Sequence, residues 1–473
     1  GMWRAFHLTP TITYTGGITK TITVNATADV PLLFARIFGQ PTATVAASAV
    51  AVRRDARVMV VIDRSGSMKP GTIMADVKKY AVGFTQRFTK GTDQLGLVVF
   101  DGSGVVGYPP VSPWDPNTTS TATGGPDTNF NDGSATDMVN QIQAITADSG
   151  TGIADALSLA YIELQKAHMK EVAANGVDLK QNAIVLFTDG APSALSVYLN
   201  NPLNYPANNI ISSSSTCTNK VSSAPPPTPP KMLGWISVAG QPGQTVNSLW
   251  SFYLLASLNT NSSQTPAWWM SNGGAATAKD FAGWPSPNNQ IGCKVPGSGT
   301  PGTPSLAGLT AAASTSNLVD LTKIPDMDMY GNSTTGFRYR NSEYVNTAGS
   351  IVNPNPVYNA TGGELQQNLT TNAYQWGLAM WNAADDAATR ILADANRPNR
   401  AGDVNPMITT IYTIGYVGNT GLDQGLLKRI ANDKSAAGYD PTKRTGIYAP
   451  AADTVALANA FDTIASAILR LSR

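Results

Sequence analysis

The chain has 473 residues, of which 13% are charged, and 32 Lys and Arg residues almost balance 31 Asp and Glu residues for a formal net charge of +1. This balance excludes the basic excess of a sequence-independent nucleic-acid binder, and the chain has no polybasic segment for anionic lipid. Hydrophobic residues make up 42% of the chain, which is enough for a large core and excludes global disorder.

The first part of the chain, residues 1–56, is predicted to be rich in β-strand. Apolar side chains fall mostly on alternate positions from Ile18 to Ala28, which is the period of a half-buried strand. Residues 31–39 (PLLFARIFG) indicate a short apolar helix that ends at a glycine. Residues 42–52 (TATVAASAVAV) indicate a second strand with small side chains.

Buried strands alternate with helices from residue 57 onward. Continuous apolar runs predict strands buried on both faces, as in the middle of a parallel sheet, at 58–62, 95–100 and 183–187. A further strand is predicted at 408–416 (ITTIYTIGY). Helical spacing predicts helices at 73–88, 135–145, 153–167, 365–395, 422–432 and 454–471, with a short strand at 446–449. His168 is expected at a solvated helix end. The alternation predicts an α/β fold, in which a doubly wound, mostly parallel sheet is flanked by helices.

The alternation is interrupted over residues 191–364. Between 201 and 300, 55 of the 100 residues are Gly, Pro, Ser, Thr or Asn and five are charged, yet the same stretch holds five tryptophans. Disordered linkers rarely carry so many aromatic side chains, so we expect an ordered, loop-rich insertion. The chain then divides into a β-rich segment (1–56), the first part of the α/β domain (57–190), the insertion (191–364) and the second part of the domain (365–473).

The two cysteines, Cys217 and Cys293, are too few for a zinc ribbon or an iron–sulfur cluster, which take four ligands from closely spaced pairs. Both lie in the insertion, and we expect a disulfide between them. Such a bond would indicate an oxidising compartment. The alternative is a pair of unrelated buried thiols.

Oxygen-bearing side chains occur where a doubly wound sheet binds its ligands, beyond the carboxyl ends of the strands. Asp63, Ser65 and Ser67 come directly after the first buried strand, Thr151 precedes a helix, and Asp189 follows a later strand. Two carboxylates and three hydroxyls, without sulfur or imidazole, suit Mg²⁺ (or Ca²⁺ or Mn²⁺) rather than zinc or copper. A carboxylate from a partner would complete the coordination shell.

These residues resemble the metal-ion-dependent adhesion site (MIDAS) of von Willebrand factor A (VWA) domains. The resemblance rests on D-x-S-x-S at Asp63–Ser67, G-T-x-x-x-x-A-L at Gly150–Leu157 and T-D-G at Thr188–Gly190. It covers about 57–190 and 365–471. It implies that the five residues are metal ligands and that the metal binds an acidic residue of a protein partner.

The N-terminal run VNATADVPLLFARIFGQPTATVAASAVAVRRD resembles the TadG-like proteins of bacterial tight-adherence (Flp) pilus assembly. This resemblance implies a membrane helix before the β-rich segment. Gly1-Met2 is typical of an expression remnant, so we expect that a native anchor or export segment has been removed.

We therefore expect a non-enzymatic, metal-dependent binding module of pilus assembly or surface adhesion, located in the bacterial envelope or outside the cell. Neither histidine has the setting of a catalytic base, and no nucleophile elbow, P-loop or dinucleotide fingerprint occurs. One alternative is an intracellular adaptor of an ATPase complex similar to the chelatases. Another is a hydrolase site within the insertion.

Overall fold

The computed structural model describes residues 11–109, 125–199, 232–238, 246–251, 293–294, 373–393, 407–417 and 422–469, apart from short gaps at 16–18, 33, 70, 72, 102–103, 135–136, 146 and 148–150. Its strands are β1 (Thr11–Thr15), β2 (Thr19–Pro31), β3 (Thr42–Arg54), β4 (Ala56–Asp63), β5 (Gln94–Phe100), β6 (Gly104–Tyr108), β7 (Gln181–Thr188), β8 (Ala194–Leu199), β9 (Met232–Val238), β10 (Val246–Ser251), β11 (Cys293–Lys294), β12 (Thr409–Tyr416) and β13 (Tyr448–Ala451). Its α-helices are α1 (Ile73–Thr85), α2 (Met138–Ala144), α3 (Ile153–Asn175), α4 (Ala373–Ala393), α5 (Gln424–Ile430) and α6 (Thr454–Leu469).

Six strands form the central sheet, in the order β13-β12-β7-β4-β5-β6. The first five run parallel to one another, and β6 pairs antiparallel with β5 at the edge. Every residue of β4 is buried, because helices such as α3 and α6 pack on the sheet and cover its apolar side chains. This order confirms the predicted α/β fold with a mostly parallel sheet.

Helix α3 is longer than the sequence pattern predicts. It continues from Ile153 to Asn175 and ends at Gly176, whose φ of 75° lies in the left-handed region that favours glycine. The expectation that His168 lies at a solvated helix end is wrong, since His168 is 2% exposed and its Nδ1 lies 2.7 Å from Asp178 Oδ2. The sequence did not predict residues 168–175 (HMKEVAAN) as part of the helix, because this stretch carries charged side chains and has no clear apolar periodicity.

The two edge strands of the central sheet also depart from the prediction. Strand β6 was not predicted, because two of its five residues (GVVGY) are glycines and so short a segment gives little apolar signal. Strand β13 lies two residues later than predicted and contains Pro450, which pairs with Gly415 of β12. Proline is tolerated there because an edge strand leaves one row of backbone groups without a neighbouring strand.

A separate antiparallel sheet, β1-β2-β3, precedes the central one. Strands β2 and β3 pair along their whole length, from Thr19 opposite Arg54 to Pro31 opposite Thr42. The alternation predicted for β2 is confirmed, since Val24, Ala26 and Ala28 are half-buried while the intervening residues are exposed. The helix predicted at 31–39 is only a 3-10 turn at Ala35–Phe38, because so short a segment between two prolines cannot nucleate an α-helix.

The region predicted as a loop-rich insertion contributes a third sheet, β11-β10-β9-β8, in which successive strands are antiparallel. Cys293 begins β11, but Cys217 lies outside the described residues, so the disulfide between them stays a prediction. None of the helices in the described parts of the chain is both long and apolar enough to cross a membrane.

Candidate metal centre

The five residues predicted as metal ligands lie on three segments at the carboxyl edge of the central sheet. Asp63 is the last residue of β4, Asp189 directly follows β7, and Thr151 lies two residues before α3. Strands β4 and β7 are parallel neighbours, so their carboxyl ends meet at the same edge. Ser65 and Ser67 follow Asp63, and the 3-10 turn at Gly66–Met68 bends the chain back over this edge. Four of the five are buried, and Ser67 is half-buried.

The serine hydroxyls and the carboxylate of Asp189 share one small space. Ser67 Oγ donates to Asp189 Oδ1 at 2.7 Å, and Ser65 Oγ lies 3.4 Å from the same oxygen. The two hydroxyl oxygens are 2.8 Å apart. The structure thus brings together three of the predicted ligands within hydrogen-bonding distance, although Asp189 is more than 120 residues away along the chain.

Asp63 is fixed through both of its carboxylate oxygens. Its Oδ1 accepts the backbone N–H of Ser65 at 2.7 Å, and its Oδ2 accepts the hydroxyl of Thr188 at 2.5 Å. Thr188 is therefore an orienting residue that the sequence reasoning did not assign, although it is the first residue of the T-D-G motif. Residues that orient metal ligands in this way hold them in one conformation before the metal binds.

Thr151, the fifth predicted ligand, is held next to the segment that follows β7. Its carbonyl accepts the backbone N–H groups of Ser193 and Ala194 at 2.8 and 3.2 Å, which ties the start of α3 to the segment after β7. A Cβ built on Gly190 would lie 3.6 Å from Thr151 Oγ1 and 3.9 Å from Ser67 Oγ, so both hydroxyls face the space that this glycine leaves. A side chain at 190 would fill that space.

The electrostatics of the cluster favour a cation. Burial and the neighbouring carboxylate of Asp189 raise the pKa of Asp63 to about 8, although its hydrogen bonds to Thr188 and Ser65 act in the opposite direction. Two carboxylates and three hydroxyls are hard oxygen donors, and a divalent cation between them would offset the repulsion between the two acids. The residues present therefore fit Mg²⁺, Ca²⁺ or Mn²⁺. Within the described ranges, no group of three or more His, Cys, Asp or Glu residues could hold a metal ion, so any metal here depends on hydroxyl ligands.

A buried ion pair fixes the loop that follows β4. Arg64 and Asp101 are both fully buried, and the guanidinium donates through Nε to Asp101 Oδ2 at 3.1 Å and through Nη2 to the same oxygen. The backbone N–H of Arg64 donates to Phe100 at 2.8 Å, and the carbonyl of Asp101 accepts from Gly152 at 2.5 Å. The pair thus joins the loop after β4 to the end of β5 and to the residue that follows Thr151. The sequence reasoning did not assign this pair.

A comparison with known protein families matched part of the chain. Residues 58–191 match the family model described as the von Willebrand factor type A domain. The match includes all five predicted ligands, Thr188 and the Arg64–Asp101 pair. A search of curated proteins found no significant match.

Several solved structures are similar to the chain. The vWF domain of the type V pili tip protein Mfa5 from Porphyromonas gingivalis is 16% identical, with 90% of this chain and 99% of that chain covered and a TM-score of 0.36. A mutant of the PilB minor pilin from Streptococcus sanguinis is 13% identical, with 99% and 80% covered and a TM-score of 0.35. The pilus adhesin SpaC from Lactobacillus rhamnosus GG, in an open conformation, is 10% identical, with 97% and 33% covered and a TM-score of 0.33. At these scores, the fold assignment depends on the sheet order and on the family match.

Proposed function

We propose that the chain is a metal-dependent protein-binding module, in which Asp63, Ser65, Ser67, Thr151 and Asp189 hold Mg²⁺ (or Ca²⁺ or Mn²⁺) and an acidic residue of a partner protein completes the shell. The observation that carries the proposal is the position of the serine hydroxyls, which lie at 2.7 and 3.4 Å from one carboxylate oxygen of Asp189 at the carboxyl edge of the sheet. The match of residues 58–191 to the von Willebrand factor type A family supports it.

The side chains of this site have separable tasks in the proposal. Asp63 and Asp189 supply negative charge, and the hydroxyls supply neutral oxygen donors that can rotate their protons away from a cation. Thr188 and the N–H of Ser65 hold Asp63 in place. When bound, the metal supplies a positive charge with affinity for a carboxylate, and this charge would select an acidic partner.

We also propose that the module works in pilus assembly or adhesion at the bacterial surface, and that it is not an enzyme. The resemblance of the N-terminal run to TadG-like proteins supports this setting, and the similar structures named above are pilus proteins. Within the described part of the chain, the one histidine, His168, is buried against Asp178 rather than placed beside the Asp63 cluster. A Cys217–Cys293 disulfide, measured by mass spectrometry with and without reductant, would support an oxidising compartment over the intracellular ATPase adaptor.

Isothermal titration calorimetry with Mg²⁺ tests the metal site directly. We expect the wild-type chain to bind Mg²⁺, Asp63→Ala to lose binding, and Thr188→Val to weaken it by about 10- to 100-fold, since loss of an orienting partner typically costs this much. Asp132→Ala removes an exposed loop carboxylate and serves as the matched control, with unchanged affinity.

Circular dichroism of each variant must show that the fold is retained. The proposal fails if folded Asp63→Ala binds Mg²⁺ as tightly as the wild type. It also fails if Asp132→Ala lowers the affinity as much as Asp63→Ala, because the binding would then come from non-specific surface charge.

A further inference from the structure

The turn that joins β2 to β3 carries the most exposed large hydrophobic side chains in the described part of the chain. Phe34, Ile37 and Phe38 are 81%, 79% and 85% exposed, whereas Val455, the next in order, is 69% exposed and lies on α6. Single exposed hydrophobic side chains are ordinary on protein surfaces, but three on one turn mark an interaction site. Residues 31–41 are called the apolar tip below.

The apolar tip is held in shape by its own backbone. The N–H of Ile37 donates to Phe34 and that of Gly39 to Arg36, each at 3.2 Å, and Leu32 donates to Pro41 at 3.0 Å. Pro31 and Pro41 have no N–H to donate. Because an apolar medium penalises every unsatisfied backbone donor, this turn is better suited to enter such a medium than an open loop.

The tip lies at the far end of an extended arm. Strands β2 and β3 are each 13 residues long and pair throughout, and at about 3.3 Å per residue the arm spans roughly 43 Å. Strand β1 pairs from Thr11 opposite Asn25 to Thr15 opposite Thr21, so the chain enters this sheet from the tip side. The three exposed side chains therefore lie at the end of this strand pair that is opposite to the end where β3 continues into β4.

The charges of the tip match an anionic surface. Residues 30–41 contain no Asp or Glu, and their one charged side chain is Arg36, which lies between the exposed Phe34 and Ile37. The nearest carboxylate along the sequence, Asp29, accepts the hydroxyl of Thr44 at 2.6 Å. A cation among exposed aromatic and aliphatic side chains is the pattern with which proteins bind at the boundary between lipid headgroups and acyl chains.

We propose that the apolar tip inserts into the interface of an anionic lipid bilayer, with Phe34, Ile37 and Phe38 in the acyl region and Arg36 at the phosphates. A specific protein interface buries about 800 Å² on each partner, whereas a bilayer accepts a few apolar side chains without a matching pocket. Since the chain has no polybasic segment, the apolar side chains carry most of this binding. The proposal does not depend on the metal centre.

Flotation with lipid vesicles tests the insertion, using the whole chain with chelator present so that the metal centre plays no part. The vesicles are phosphatidylcholine alone or phosphatidylcholine mixed with phosphatidylglycerol. We expect the wild type to float with the mixed vesicles, and Phe34→Ser with Phe38→Ser to weaken binding by roughly tenfold for each side chain. Arg36→Gln should lower binding to the mixed vesicles but not to phosphatidylcholine. Val455→Ser, which removes an exposed hydrophobic side chain elsewhere, should bind as the wild type does.

Two results would overturn the proposal. One is a wild-type chain that floats with neither vesicle, and the other is a folded double variant that binds the mixed vesicles unchanged. Light scattering measures the oligomeric state and so tests the alternative that the tip binds a second copy of this chain. If the wild type is a dimer without lipid and the double variant is a monomer, the tip is a self-association surface and lipid insertion is wrong. Unchanged urea midpoints of the variants would show that these outcomes do not come from unfolding.

Discussion

Loss of the Asp101 carboxylate is expected to destabilise the fold strongly, because it removes the buried countercharge of Arg64. Both side chains are 0% exposed, so water cannot replace the lost carboxylate. Breaking a buried pair by removing one partner costs about 3–5 kcal/mol in free energy of unfolding. Since domains are typically stable by roughly 5–15 kcal/mol, Asp101→Ala should remove a large share of the total.

An exposed ion pair elsewhere in the chain provides the matched control. Arg87 Nη2 and Asp462 Oδ1 are 2.7 Å apart, but each side chain is 56% exposed. Pairs in such a setting contribute about 0–1 kcal/mol, since water and salt screen them. Asp462→Ala should therefore cost less than about 1 kcal/mol. The contrast between the two variants isolates the effect of burial from that of losing an Asp–Arg contact.

Urea unfolding, followed by tryptophan fluorescence, measures the free energy of unfolding of Asp101→Ala and of Asp462→Ala. We expect the double variant Arg64→Met with Asp101→Leu to regain the wild-type stability within about 1 kcal/mol, because apolar side chains of similar size often replace a buried pair without loss. Asp101→Ala should also weaken Mg²⁺ binding, since it leaves the positive charge of Arg64 next to Asp63 and Ser65 without the Asp101 carboxylate. The double variant should recover the Mg²⁺ affinity. The reasoning is refuted if Asp101→Ala is no more destabilising than Asp462→Ala.

Two further predictions concern residues outside the candidate metal centre. Burial raises the pKa of Asp423 to about 7, above the 3.8 of an exposed Asp, so its contribution to stability is complete below about pH 4 and is lost as the pH rises through 7. At pH 8, Asp423→Asn should therefore unfold at a higher urea concentration than the wild type. At pH 4 the two urea midpoints should be equal. An equal increase of the midpoint at pH 8 and at pH 4 would contradict the titration of Asp423. A Cβ on Gly446 would lie 1.8 Å from the carbonyl oxygen of Ile411, so Gly446→Ala should displace β12 and lower the melting temperature sharply. Gly83→Ala, where nothing lies within 4 Å of the added Cβ, should instead stabilise α1 by about 0.5–1 kcal/mol, and equal effects of the two glycine variants would refute the steric argument.

The buried strands of the central sheet were predictable from the sequence because a strand covered on both faces needs a continuous apolar run. Strand β4 shows this directly, with all eight residues buried. Segments without such a run were missed or shifted. Strand β6 is short and contains two glycines, and the last turns of α3 carry charged side chains, so neither has a clear hydrophobic period. Their structure depends on pairing with β5 and on a buried contact at Asp178, which no local pattern contains.

In the N-terminal sheet, an apolar segment was assigned the wrong structure. Its alternation was recognised, yet residues 31–39 were predicted as a helix because apolar side chains are frequent there. The pairing of Pro31 with Thr42 and the hydrogen bond from Leu32 to Pro41 instead close a turn, and Phe34, Ile37 and Phe38 stay exposed. An apolar segment is usually covered within its own domain, and only the fold shows where it is not.

In the candidate metal centre, the position of a residue at a strand end can be predicted from the sequence, but the contacts of its side chain cannot. Asp63, Asp101 and Asp189 each end or directly follow a strand that sequence predicts as buried, so position alone would make all three candidate ligands. Charge neutralisation distinguishes them, because Arg64 pairs with Asp101 while Ser65 and Ser67 share their space with Asp189. Although Arg64 lies between Asp63 and Ser65 in the sequence, its guanidinium is fully buried and pairs with Asp101. Asp63 and Asp189 are two acidic groups so close together that Asp189 raises the pKa of Asp63, and this repulsion is the physical reason to expect a cation beside them.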